Sequence, residues 1–236
     1  MIKNGIGCFF GLFFGCFCDL VKLNLVFCLF ALPSAAAFLF GFFGFFTGLM
    51  YALSLLAAIP VGGAVAAYVF CVTKMLRDQP GYVIHDFKRK FSENVKQAAV
   101  PGMLCVAAVY AQVLACGTLI FSGTNNGGAL LPAVLCAVVI FWMIAPYVFL
   151  QIAYVDLGTT QIVKNSILIS LRNAPRSFFG VITGGAVWAA FILYLPVSLL
   201  ATPLILLIGF SLSWVLWLMW IWPPVNKEFK IEEALQ

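Results

Sequence analysis

The sequence predicts an all-α protein, a polytopic membrane helix bundle with six transmembrane helices. Of its 236 residues, 64% are hydrophobic and 9% are charged, whereas soluble domains average about 45–50% and about 25%. The apolar residues form long runs, and a helix needs about 20 of them to cross the hydrocarbon core. Charged or turn-forming segments separate these runs. A water-soluble domain with a single core is therefore excluded.

The whole chain, residues 1–236, is predicted to be one integral membrane domain. The spans are expected at about residues 23–46, 49–75, 98–121, 129–155, 178–197 and 203–222. Pro33 is expected to interrupt the first span and Pro60 to kink the second, because proline removes a helix hydrogen bond. Pro223-Pro224 is expected to close the sixth span, with residues 226–236 as a cytoplasmic tail.

The N-terminal apolar stretch is too short to add a seventh span. It runs from Gly5 to Cys18, between Lys3 and Asp19, and is shorter than a helix that crosses the hydrocarbon core. Residues 1–18 are therefore expected to lie along the membrane surface as an interfacial helix, with an ordinary buried helix as the alternative.

The distribution of charge predicts the orientation. Charged residues precede the first span, join spans two and three, join spans four and five, and follow the sixth, while the other three connections carry none. Every Lys and Arg then falls on one side of a six-span bundle. The positive-inside rule makes that side the cytoplasm, so both termini are expected there, in a multi-pass protein of the cell membrane.

Both charged connections predict an amphipathic cytoplasmic helix. In the first, Ile84 joins an apolar stripe that repeats every four residues, formed by Val83, Phe87, Phe91 and Val95. In the second, Thr159 or Thr160 is expected to cap the helix and Pro175 to stop it. Its apolar stripe is Val163, Ile167 and Leu171, and its polar side is Lys164, Asn165, Arg172 and Asn173.

These two helices have two candidate roles, anchoring the bundle in the membrane interface or docking a partner protein. The docking candidates are Val83, Phe87, Phe91, Val95, Lys88, Arg89, Val163, Ile167, Leu171 and Arg172. The two regions also match at one constant offset, which aligns Tyr68-Val69-Phe70 with Tyr147-Val148-Phe149 and Asn94 with Asn173. Ancient duplication and chance both account for this match.

Chemistry-bearing residues are scarce in the predicted spans. No Asp, Glu, Lys, Arg or His lies in the interior of any span, which argues against ion coupling and intramembrane catalysis. The eight cysteines lack metal-ligand spacing, and His85 is expected to be a solvated polar residue. The protein is therefore expected to be no enzyme and to need no cofactor or metal. The intramembrane polar candidates are Gln112, Gln151 and Tyr147, as interhelical hydrogen-bonding groups or as part of a sugar path.

Small and aromatic residues suggest packing surfaces in the last two spans. Gly180 and Gly184 have the spacing of a close-packing motif, although a chain with 20 glycines produces such spacings without selection. Trp214 and Trp217 are expected to meet lipid or a partner subunit, and Trp220 and Trp222 to join the aromatic belt at the membrane interface.

Several short segments follow one another in an order that resembles a known family. They include Leu23-Asn24-Leu25, Leu32-Pro33, Pro60-Val61-Gly62, Gly81-Tyr82-Val83, Asp86-Phe87 and Lys164-Asn165-Ser166. The chain resembles the YesL-like family of bacterial integral membrane proteins, a domain-of-unknown-function group. The resemblance covers most of the chain and is most specific at residues 81–98, and the chain departs from the family in its longer apolar stretch between Pro33 and Pro60.

The resemblance implies a role but no catalytic residue, because the family has no assigned activity. It implies a non-enzymatic auxiliary subunit of a carbohydrate ABC importer of Gram-positive bacteria, with permease and ATPase subunits as partners besides the lipid bilayer. No nucleic-acid partner is expected, because the sequence contains no basic cluster interleaved with aromatic residues. The alternative is an autonomous transporter or channel for a neutral solute. That alternative rests on the broken helices expected at Pro33 and Pro60, which can mark a binding site at mid-membrane.

Overall fold

A computed structural model of the protein describes residues 11, 15–77, 79, 81–121, 127–194 and 208–231, and the regular structure among these residues is helical. Their eight helices are α1 (Phe17–Phe42), α2 (Thr47–Ala57), α3 (Ile59–Leu76), α4 (Val83–Phe121), α5 (Gly127–Tyr154), α6 (Thr159–Arg172), α7 (Ala174–Tyr194) and α8 (Phe210–Phe229). The predicted interfacial helix at residues 1–18 falls mostly outside the described residues.

Four segments are long and apolar enough to cross a membrane, which confirms the prediction of an all-helical protein with transmembrane-like helices. They are Phe17–Phe42, Thr47–Leu76, Val83–Ala115 and Pro132–Tyr154, and they correspond to the first four predicted spans. The remaining two predicted spans, 178–197 and 203–222, each extend partly outside the described residues.

The helix breaks only partly follow the prolines. The predicted interruption at Pro33 is wrong: α1 runs straight through it, as membrane helices can when neighbouring groups satisfy the freed carbonyl. The break predicted near Pro60 is present, because α2 ends at Ala57 and Pro60 lies in the first turn of α3, where a missing N–H costs nothing. Gly44 turns the chain between α1 and α2 with φ +88°.

The first amphipathic segment is not a separate helix. Residues 83–96 and the third predicted span form the single 39-residue helix α4, which contains Pro101. At 1.5 Å per residue α4 is about 58 Å long, far longer than the ~30 Å hydrocarbon core. The predicted boundary at residues 97–98 is wrong because no turn-forming residue lies there, and α3 packs beside this part of α4. The amphipathic segment is therefore an extension of a membrane helix.

Two further helix boundaries differ from the prediction. Gly158, not Thr159 or Thr160, caps α6, and no side chain bonds the free amides. The helix α8 continues through Pro223 and Pro224 to Phe229, so the prolines do not close it, because burial of Pro224 and Val225 holds the last turns against the core. The stop expected at Pro175 is confirmed, since α6 ends at Arg172 and Pro175 lies in the first turn of α7.

Helix α3 forms the centre of the bundle. Residues 61–73 are all buried, and α1, α4, α5 and α8 pack around them. The Tyr68 hydroxyl donates to Ser211 Oγ of α8 at 2.7 Å, and Ser211 in turn donates to the Leu20 carbonyl of α1 at 2.9 Å. The second predicted span is therefore exposed along α2 and enclosed by protein along α3.

The described charged residues lie at one end of the bundle, which we call the charged end. It comprises the helix ends and connections that carry residues 19–22, 74–96, 156–176 and 227–230. Contacts join these segments: Lys74 pairs with Asp86, Arg77 stacks on Tyr154, and the Asp19 side chain lines a cavity with the first pair. The large exposed side chains of α2 and of the remote half of α1 are apolar.

Each half of the sequence contains a helical hairpin with a polar contact between its two helices. In the hairpin of α3 and α4, Lys74 contacts Asp86, and in the hairpin of α5 and α6, Gln151 contacts Ser166. The alignment of Tyr68 with Tyr147 places the first pair at Ala153 and Asn165, which are close neighbours of the second pair in the sequence. The aligned positions are not the contacting ones, so these contacts do not distinguish duplication from chance.

Candidate functional site

A cavity of about 320 Å³ opens at the charged end between α1, α3 and the start of α4. Its walls combine charged, polar and thiol side chains. They are Cys16, Asp19, Cys71, Lys74, Met75, Gln79, Gly81, Val83 and Asp86. This combination makes the cavity the centre of the candidate site.

Asp86 is the central charge of this cavity. Its Oδ2 accepts a hydrogen bond from Lys74 Nζ at 2.6 Å, and its Oδ1 lies 3.4 Å from Arg89 Nη2. The Asp86 side chain is 10% exposed and that of Lys74 is 20% exposed. The carboxylate also lies in the first turn of α4, where the helix dipole favours negative charge. The pair therefore fixes the start of α4 to the end of α3.

Gly81 gives this ion pair the space it needs. A Cβ at Gly81 would overlap Lys74 Nζ and would lie 2.6 Å from Asp86 Oδ2. Any other residue at this position would force the end of the lysine or the carboxylate to shift. Cys71 adds a second tie to the same turn, since its thiol donates to the Val83 carbonyl at 3.7 Å.

Arg77 forms a second cluster beside the cavity. Its guanidinium lies 5.5 Å from the ring centroid of Tyr154 and 5.4 Å from that of Trp222. The two ring centroids are 5.2 Å apart, in an edge-to-face arrangement. A guanidinium over aromatic faces is held by the ring quadrupoles. This cluster connects the ends of α3 and α5 to α8.

The first predicted docking stripe packs against other helices of the same chain. Phe87 is 1% exposed, and Val83 and Phe91 pack against the buried core. Val95 is half-buried and packs against Gly63 of α3. A Cβ added to Gly63 would lie only 2.9 Å from Val95 Cα. Ile84, at 44% exposure, does not share this face. A partner at this surface would meet Lys88 and Arg89, which are both exposed.

The second predicted stripe points outward. Val163 and Ile167 are each 38% exposed and Leu171 is 64% exposed. Arg172 is exposed too, and it pairs with Glu228 of α8 at 2.6 Å. The three apolar side chains are therefore exposed to lipid or a partner, whereas Arg172 is engaged by α8.

The inward face of α6 is instead formed by small polar and branched side chains, Ile162, Ser166, Ile169 and Ser170. Two serines bond to α5: Ser166 accepts from Gln151, and Ser170 donates to the Met143 carbonyl at 3.0 Å. The small side chains permit close approach, and this approach decides which face of α6 is buried.

The three intramembrane polar candidates each bond to another helix. Gln151 Nε2 donates to Ser166 at 2.8 Å, Tyr147 shares a 3.0 Å hydrogen bond with Ser177, and Gln112 accepts from Trp142 Nε1 at 3.3 Å. Within this group one buried atom, Gln151 Oε1, has no hydrogen-bond partner. The structure therefore uses these side chains as interhelical ties.

Three tryptophans of α8 are buried, contrary to the prediction from the sequence. Trp214, Trp217 and Trp222 are buried at 4%, 6% and 2% exposure, so the expectation that they meet lipid, a partner or the membrane interface is wrong. Gly180 and Gly184 of α7 receive the Trp217 ring. The spacing of these two glycines therefore serves contact between α7 and α8.

The cluster around Arg77 was not predicted from the sequence. It unites side chains of three helices that lie far apart along the chain. The only sequence signal for Arg77 is a cation at the end of an apolar run, which is also the pattern of an ordinary helix end at the membrane surface.

Within the described residues, no group of three or more His, Cys, Asp or Glu side chains is placed to hold a metal ion. Comparison of the chain with protein-family models, curated proteins and solved structures gave no match. The resemblance to the YesL-like family thus stays an expectation. The candidate site is therefore the charged end of the helix bundle, where ion pairs and cation–π contacts join the helices.

Proposed function

We propose that the protein is a non-enzymatic auxiliary subunit of a bacterial carbohydrate ABC importer. In this proposal six helices cross the cell membrane, both termini and the charged end lie in the cytoplasm, and the bundle packs against the permease. Lys88 and Arg89 lie on the side that faces the ATPase. The positive-inside rule supports this orientation, since the described basic residues lie at the charged end.

One observation favours this proposal over the alternative that the protein transports a solute by itself. The described hydroxyl groups inside the bundle are bonded to other parts of the bundle, as Tyr68 is to Ser211 and Tyr147 to Ser177. A sugar path needs polar groups that face an open passage and exchange partners with the solute. The described cavity with polar walls lies at the charged end and not within the apolar half.

Copurification tests the proposal. A tagged chain at native expression level, extracted in mild detergent, is expected to retain a permease and an ATPase subunit, identified by mass spectrometry. The double variant Lys88→Glu with Arg89→Glu is expected to lose the ATPase. Lys227→Glu with Lys230→Glu, an equal charge change on α8 and just beyond it, is the matched control. Recovery of the chain without either subunit contradicts the proposal.

The break between α2 and α3 favours the second candidate, an autonomous transporter or channel for a neutral solute. Interrupted helices form solute sites in many transporters, and Ala58 separates two helices within one apolar segment. Purified protein in vesicles would then carry labelled sugar down its gradient. Flux equal to that of protein-free vesicles excludes this candidate.

A further inference from the structure

An apolar groove lies between α4 and α5, and it shares no lining residue with the polar cavity. It has a volume of about 190 Å³, and Val163 of α6 closes it on the side of the charged end. Leu104 and Phe141 line its walls. Leu104 is 65% exposed, so the groove opens sideways, where lipid surrounds a membrane bundle. Its volume is below the ~300 Å³ at which drug-sized ligand pockets begin, and it suits a segment of a hydrocarbon chain.

Two lysines stand where this groove meets the charged end. Lys164 follows Val163 directly, and Lys96 lies on the same stripe of α4 as Leu104, two turns earlier. Both side chains are exposed, and neither forms an ion pair with a described acidic residue. They therefore differ from Lys74, whose charge is paired with that of Asp86.

A hydrogen bond joins α4, beside Lys96, to the connection that leads into the helix of Lys164. Gln97, the neighbour of Lys96, donates a hydrogen bond to the Leu157 carbonyl in the connection that leads into α6. The start of α6 is thereby attached to α4 beside the groove. The exposed Asp156 lies in the same connection, so this part of the chain carries two cations and one acid. The apolar groove and the positive border match the two parts of an anionic phospholipid.

We propose that this groove binds one anionic phospholipid of the adjacent leaflet. One acyl chain lies between α4 and α5, against Leu104, Phe141 and Val163, and the phosphate is held by Lys164 and Lys96. The exposed apolar side chains of α6, Ile167 and Leu171, lie in the same leaflet beside it. The site lies on the outer surface of the bundle and does not depend on a permease or a transported solute.

Native mass spectrometry of the full-length protein in detergent tests the site. The protein is incubated with equal amounts of phosphatidylglycerol and phosphatidylcholine of identical chains. We expect one phosphatidylglycerol molecule to be retained in preference to phosphatidylcholine. Leu104→Trp fills the groove mouth and is expected to abolish retention, whereas Ile140→Trp, at a similarly exposed position of α5 outside the groove, leaves it unchanged.

The charge is tested separately. Lys164→Gln is expected to lower the preference for phosphatidylglycerol about fivefold, as the removal of one cation near an anionic headgroup does. Lys88→Gln is the matched control and keeps the preference. Glycerol phosphate, the headgroup chemistry without a chain, is expected not to compete, and competition would instead assign the lysines to a free anion. The proposal is overturned if the wild type shows no preference, or if Leu104→Trp and Lys164→Gln both retain lipid like their controls.

Discussion

Gly62 of α3 and Gly102 of α4 bring two helix backbones into direct contact. A Cβ on Gly62 would lie 2.8 Å from Gly102 Cα and would overlap the Ala98 carbonyl oxygen, and a Cβ on Gly102 would overlap Gly62 Cα. Only glycine fits at either position, because any side chain would push the backbones apart. This contact lies where α4 passes from its charged first half into its apolar second half, so it sets how α3 and α4 meet along their shared length.

Gly102→Ala is therefore expected to destabilise the protein by about 1–3 kcal/mol, the usual cost of overpacking. Gly117→Ala on the same helix is the control, since a Cβ there has no neighbour within 4 Å. This control is expected to gain up to about 1 kcal/mol from helix propensity. Thermal unfolding in detergent, followed by circular dichroism, measures both. Equal melting temperatures for the two variants would show that the helices do not touch at Gly62.

Asp86→Asn is expected to cost about 1–3 kcal/mol, because it leaves a largely buried Lys74 ammonium without its counter-charge. Asp19→Asn provides the comparison. Asp19 pairs with Lys22, but their side chains are 41% and 56% exposed. Such surface pairs contribute about 0–1 kcal/mol. Denaturation at pH 7 and low salt measures the difference, and an equal effect of the two substitutions contradicts the assignment of Asp86 as the central charge.

Arg77→Lys is expected to lower stability by about 0.5–2 kcal/mol although the charge is kept, because a lysine ammonium cannot lie flat against both Tyr154 and Trp222 as a guanidinium does. Arg176→Lys, at an exposed position, is the control and is expected to change little. Unfolding curves of the two variants should separate. If they coincide with the wild-type curve, the stacking on the two rings contributes no stability.

The orientation of α6 is tested by paired truncations. Ile162→Ala is expected to cost about 2–5 kcal/mol, as for other buried aliphatic side chains. Leu171 is 64% exposed. Leu171→Ala in detergent is therefore expected to change stability by no more than about 0.5 kcal/mol, as surface substitutions usually do. The opposite order would mean that the apolar stripe seen in the sequence, and not the serine face, packs against α5.

The case of α6 also shows why sequence periodicity predicted the helices better than their faces. Apolar run length located α1, α3 and α5 because the membrane demands long uninterrupted helices. Hydrophobicity did not orient α6, since in a membrane protein the face toward lipid is apolar as well. Whether Ser166 or Ile167 turns inward depends on Gln151 of α5, which no local pattern contains.

The candidate site was harder to predict for a related reason. Lys74 and Asp86 were visible as charges, but the sequence assigned them to a solvated connection between separate helices. Their pairing depends on α4 beginning at Val83 and running antiparallel to α3 without a break. The cluster of Arg77 with Trp222 depends on Trp222 facing the ends of α3 and α5, which no local pattern contains. Both outcomes follow from packing and not from local propensity.

The enclosure of α3 has a consequence for how the protein is made. A ribosome delivers this helix early, yet the hydroxyl of Tyr68 finds its partner, Ser211, only when the last described helix has been synthesised. Until α8 arrives, one side of α3 has no permanent neighbour, and lipid offers that hydroxyl no hydrogen bond. The bundle is therefore completed by α8. A nascent chain that stops before α8 would leave the central helix open on one side, with the Tyr68 hydroxyl unpaired in lipid.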